Sequence, residues 1–233
     1  MTRKTIFFRT VLLGLIGIAA VVVLLEPPMG IPRALLAVNP VVLLLLLGGV
    51  GSMTAKSAGL RSALILKDTI DWKRVGRVAV FAITLGMIVA FSDHVLRHSW
   101  RADGTWEPKT FLEAASLPNL GLGITYGAVT EEILMRWGLM SGLMLWLMKY
   151  VGRTKAALIA LSFAAFLFAA GHLPALVAGG IEMTPALLIR IFVINAGLGA
   201  WFGWLYFREN LEAAIAAHGG FHIGAFVIGW LWL

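Results

Sequence analysis

The chain has 233 residues, 60% of them hydrophobic and 13% charged, with a formal net charge of +7 and no cysteine. An ordinary soluble domain carries roughly 25% charged residues, so this composition excludes a water-soluble fold and points to an all-α, polytopic bundle of transmembrane helices. Without cysteine there is no disulfide scaffold, iron–sulfur cluster, thiol catalysis or cysteine-ligated zinc.

An α-helix needs about 20 apolar residues to cross a hydrocarbon core of about 30 Å. The first such segment, 6–25, follows a basic start at Arg3 and Lys4. It is too long for a typical signal core and runs into Glu26-Pro27-Pro28 without a small-x-small cleavage pattern, so it reads as a retained helix. A second span is predicted over 34–54. The connection after it mixes Leu60, Leu64, Ile65 and Ile70 with charges and ends near Trp72, a pattern that suits a helix lying in the membrane interface over 56–74. Further spans are predicted over 76–97, 117–149, 155–178, 183–206 and 211–232. The fourth exceeds what a bilayer requires and is expected to tilt, break or protrude, with Gly121, Gly123 and Gly127 as places for a break. Trp100, Trp106, Trp230 and Trp232 fall near predicted headgroup levels. Gly123 with Gly127, and Gly199 with Gly203, are small-xxx-small pairs read as helix packing.

Lys and Arg concentrate on one side of these seven spans. Arg3, Lys4 and Arg9 mark the first end, Lys56 to Arg77 fill the 54–77 connection, and Lys149, Arg153 and Lys155 the 149–155 connection. The connections at 26–33, 98–116 and 179–182 carry no such excess. The bias predicts a multi-pass protein of the cell membrane with a cytoplasmic amino terminus. It also accounts for the basic balance, so no nucleic-acid partner is implied. The chain divides into amino-terminal helices over 1–116 and a core over 117–233, within one integral membrane domain.

Ionisable residues inside spans cost about 2.5–3.5 kcal/mol each on insertion scales and face a cavity or one another. Three short patterns hold them here. The fourth span contains Glu131-Glu132-Ile133-Leu134-Met135-Arg136, the fifth Phe168-Ala169-Ala170-Gly171-His172, and the seventh His218-Gly219-Gly220-Phe221-His222. Residues four apart share a helix face, so Glu132 is expected to pair with Arg136. Glu131 points about 100° away and needs a partner on another helix, water or a proton. His172 and His218 are its candidate partners. His218 and His222, also four apart, have the spacing of two zinc ligands on one helical turn, and His172 with Glu131 would complete such a shell. A non-proteolytic proton or ion carrier, or a regulatory scaffold, is the reading from another class.

Glu-Glu-x-x-x-Arg, Phe-x-x-x-His and His-x-x-x followed by a polar residue, in this order on late spans, resemble the CAAX protease and bacteriocin-processing family of intramembrane proteases. The resemblance covers roughly residues 117–232. It implies a glutamate-dependent endopeptidase acting on a membrane-associated peptide or protein, without a cofactor. Glu131 would be the general base, His172 would hold the water, and His218 would face the oxyanion with His222. Glu132, Arg136 and Phe168 would support the site. The family usually places Asn or Asp where this chain has His222.

Simple counting along straight helices raises a difficulty. At 1.5 Å per residue, Glu131 lies about 27 Å from Lys149 and His172 about 25 Å from Lys155, whereas His218 is only about 15 Å from Arg208. Convergence therefore predicts a recessed sixth-to-seventh connection near Arg208 to Glu212, or tilted fourth and seventh spans.

Overall fold

The computed structural model describes residues 1–27, 32–101 and 108–232; Pro28 and Trp106 fall outside them. Among the described residues every regular element is helical. Six helices are long and apolar enough to cross a membrane: Arg3–Leu24, Arg33–Thr54, Trp72–Val95, Arg153–Ala178, Pro185–Arg208 and Leu211–Trp232. The fourth predicted span is helical throughout 117–147, which completes a seven-helix reading.

Side chains that compete with the backbone for hydrogen bonds mark the helix starts. Thr2 accepts from the Thr5 amide, Asp71 from Arg74, Ser116 from Asn119, Thr184 from Leu187 and Asn210 from Ala213. The fourth span departs from regular α-geometry. Over Gly123–Glu131 and again over Ile133–Met140 its backbone bonds widen to the i, i+5 pattern of a π-helix. Such widening is rare and concentrates at functional sites. The expected break near Gly123 is thus a change of winding.

Small residues let the helices approach at backbone distance. A side chain at Gly224 would begin 2.0 Å from the Ile83 carbonyl oxygen, and one at Gly86 would begin 2.2 Å from that of Phe221, so the third and seventh helices touch main chain to main chain. Gly17 meets the Tyr126 backbone in the same way, and Thr130 donates to the Gly14 carbonyl at 2.8 Å, seating the first helix on the fourth. Gly199 and Gly203 pack the sixth helix on Ala165 and Leu161 of the fifth, as the small-residue spacing predicts.

The interfacial helix expected over 56–74 does not form. One turn, Ala63–Leu66, stands in its place and ends at Lys67, whose φ is 64°. The reason is burial: Leu60 and Ile65 turn into the bundle core. Ser62 donates to Glu212 at 2.7 Å, the Leu64 amide donates to the same oxygen at 2.9 Å, and the Leu211 amide donates to the Arg61 carbonyl at 3.0 Å. This segment lies over the sixth-to-seventh connection, where Asn210, Leu211 and Glu212 are all buried. Arg208 itself is exposed, so the connection is covered only from Asn210 onward, where this segment lies over it.

Candidate active site

The fifth helix brings His172 to the site through a kink. Pro174 has no amide hydrogen and its ring crowds the carbonyl four residues back, so regular bonding ends near Ala170. The His172 amide turns to the Ala169 carbonyl at 3.2 Å. The Phe168 carbonyl takes the His172 ring instead, with Nδ1 at 2.8 Å. A carbonyl only accepts, so Nδ1 carries the proton and Nε2 keeps its lone pair.

Phe168 joins the fifth helix to the seventh. Its ring meets His172 edge-on at 4.9 Å between centroids and His218 edge-on at 5.7 Å. His218 is buried, with Phe202 of the sixth helix stacked at 4.7 Å and His222 stacked at 5.1 Å. The Arg136 guanidinium lies 5.1 Å from the centre of Phe168 and 5.6 Å from that of Phe202, within cation–π range.

Glu132 and Arg136 are both fully buried, and their ion pair forms as the spacing predicts, with Arg136 Nε 3.1 Å from Glu132 Oε2. Arg136 also donates to the Gly199 carbonyl at 2.9 Å, which ties the fourth helix to the sixth. The sequence gives no hint of the other carboxylate oxygen: Glu132 Oε1 lies 2.9 Å from His218 Nδ1. Glu131, by contrast, is partly exposed and makes no hydrogen bond or ion pair to a described residue. The partners expected for it are otherwise engaged, His218 by Glu132 and His172 by the Phe168 carbonyl.

His222 sits against the two glycines of the wound-out fourth helix. A side chain at Gly123 would begin 2.5 Å from His222 Cγ, and one at Gly127 would begin 3.1 Å from His222 Nε2 and 3.5 Å from His218 Nε2. These glycines, read from spacing as helix packing alone, are what seats the imidazoles. Among the described residues, no three His, Asp or Glu side chains gather into a metal-binding group.

Two further features escaped sequence reasoning, an ion pair and a crevice beside it. Asp93 on the third helix and Arg190 on the sixth form a two-pronged pair, at 2.6 and 2.7 Å, with Arg190 against the Trp100 ring at 4.2 Å. The signal was present as the one acid of the third span and the one base of the sixth. An apolar crevice of about 420 Å³ beside this pair, lined by Val89, Val193 and Ile194 among others, contains none of the motif residues.

With this arrangement established, comparison adds a family. The model of the type II CAAX prenyl endopeptidase Rce1-like family matches residues 113–224, just under half of the chain. Residues 113–224 are similar to the Rce1-like family. The Rce1-like segment holds all three motifs, from Glu131 to His222. The apolar helices make the protein a multi-pass membrane protein, and the similarity of residues 113–224 supports a peptidase with a peptide or protein substrate. Neither a curated protein nor a solved structure matches the chain.

Proposed function

We propose that the protein is a membrane-embedded endopeptidase of the glutamate-dependent type, cleaving a membrane-associated peptide or protein without a metal. The observation that carries this reading is the run of contacts joining the three motifs: His172 to Phe168, Phe168 to His218, His218 to both His222 and Glu132. These residues come from the fourth, fifth and seventh helices, and intramembrane ionisable groups that gather in this way mark function.

In the proposed reaction, water is held by His172 Nε2 and gives a proton to Glu131, the one carboxylate of the motif with no hydrogen-bond or ion-pair partner among the described residues. The water oxygen adds to the scissile carbonyl carbon, and the resulting oxyanion faces His218 and His222. As the C–N bond breaks, the proton held by Glu131 passes to the leaving amine. Glu132, Arg136 and Phe168 hold the surrounding helices. The basic connections support an amino terminus in the cytoplasm.

Peptide cleavage in liposomes with a strong chelator present tests the proposal. Turnover is expected to survive chelation and to be abolished by Glu131→Gln and by His172→Ala. His222→Asn restores the residue the family usually carries and keeps a hydrogen-bond donor, so it is expected to remain active. Activity lost on chelation and regained with zinc overturns the metal-free mechanism. Cleavage indifferent to Glu131→Gln overturns both mechanisms.

A further inference from the structure

Glu132 has two oxygens with different duties. Oε2 faces Arg136 Nε at 3.1 Å without the alignment of a hydrogen bond, so it supplies charge balance and little direction. Oε1 makes the directional contact, 2.9 Å to His218 Nδ1, across 86 residues of sequence and inside the bundle. In its ion pair with Arg136 the carboxylate acts as an acceptor, which places the proton of this bond on His218 Nδ1. The opposite edge of the same ring, Nε2, lies over Gly127 next to His222 Nε2.

We infer that Glu132 is the positioning residue of His218, fixing its tautomer and ring orientation so that Nε2 is presented to the site. This rests on the proposed peptidase reading for its kinetic consequence but not for its geometry. A neutral His218 in this tautomer offers a lone pair at Nε2. For it to donate to an oxyanion a second proton must come to Nε2 from solvent, and the Glu132 charge then lies against the ring. A carboxylate that orients an imidazole and faces the cation it forms is a recurring catalytic device. Here it would be built from the second acid of the Glu-Glu pair, whose first acid handles the water. Phe202 and His222, both stacked on His218, restrict the orientations open to the ring.

The test is nitrogen NMR of detergent-solubilised protein labelled with ¹⁵N-histidine, with the His218 signals assigned by their loss in His218→Gln. The wild-type protein is expected to show His218 protonated at Nδ1 and bare at Nε2. Glu132→Leu should release the ring into a mixture of tautomers. Glu132→Gln keeps an accepting oxygen and should hold the tautomer, but without the charge it should lower kcat by at least about tenfold with KM within about twofold, the split of a group acting only in the transition state. A wild-type His218 carrying its proton at Nε2 overturns the inference even if Glu132→Leu fails to fold, and so does full kcat in Glu132→Gln. A wild-type protein with the expected spectrum that cleaves no peptide overturns the peptidase proposal and leaves the positioning role standing.

Discussion

Gly123→Ala is the substitution that most directly tests how His222 is seated. The new methyl would begin 2.5 Å from His222 Cγ and 2.7 Å from Nδ1, whereas non-bonded carbons rest at about 3.5–4.0 Å. The ring, with His218 stacked 5.1 Å away, must therefore retreat by about 1 Å or push the helices apart. Overpacking of this kind costs about 1–3 kcal/mol, and misplacing a site group by 1 Å costs about 100-fold in rate. Ala also gains up to about 1 kcal/mol of helix propensity over Gly, so a matched control is needed. Gly219→Ala supplies it: its methyl would meet only the Ala128 Cβ at 3.4 Å, ordinary contact, on the same helix as His222. Thermal unfolding in detergent should place Gly123→Ala below Gly219→Ala by about 1–3 kcal/mol, or several degrees at about 2–4 °C per kcal/mol. Cleavage by Gly123→Ala should fall about 100-fold, while Gly219→Ala stays near wild type. Equal stability and equal activity in the two variants would refute the seating argument.

Single cysteines at Ser57 and Lys109, both exposed, should label with an impermeant thiol reagent from opposite sides of sealed vesicles; labelling from one side removes the seven-span topology. Glu113, outside the spans, is pushed up by burial but held down at about 2 by hydrogen bonds from Arg101 and the Thr110 amide and by the Arg101 charge. Its folded value lies below the unfolded one of about 4.3, so its stabilisation is present above that pH and is lost as pH falls toward 2. Glu113→Gln should be less stable than wild type at pH 6 by about 1 kcal/mol, after allowance for partial exposure. The gap should narrow from about pH 4 downward and close below pH 2, and a gap undiminished there contradicts the assignment.

The seven spans were legible because each carries an apolar run of the right length. The observed helices begin and end within a few residues of the predicted bounds, as at Leu211–Trp232. The pairing of Glu132 with Arg136 was legible for the same local reason, four residues on one helix. What periodicity could not supply was the choice of neighbour between helices. Glu132 to His218 spans 86 residues, and nothing in the spacing of either motif selects it over Glu131. The stretch 56–74 misled because amphipathic composition does not distinguish a face turned to lipid from one turned to the bundle. Its fate was decided by Glu212, whose oxygen gathers the Ser62 hydroxyl and the Leu64 amide. The glycines at 123 and 127 were seen, but only as room for a helix. That the room is taken by imidazole depends on which helix stands opposite.

The clasp between Glu212 and the Ala63–Leu66 turn also bears on the order in which the molecule can be assembled. Ser62 leaves the ribosome 150 residues before the carboxylate that it will bond. At about 5–20 residues per second this is an interval of roughly 8–30 s, during which the Leu64 amide has yet to meet its final acceptor. The third helix is likewise made long before Gly220 and Gly224 arrive to lie against its backbone. Closure of the bundle thus waits for the last helix, the one that carries His218 and His222. A chain interrupted before that point holds Glu131 and His172 in a membrane without the histidines proposed to complete their chemistry, so on that reading proteolytic competence would arise only once the helix Leu211–Trp232 has been made.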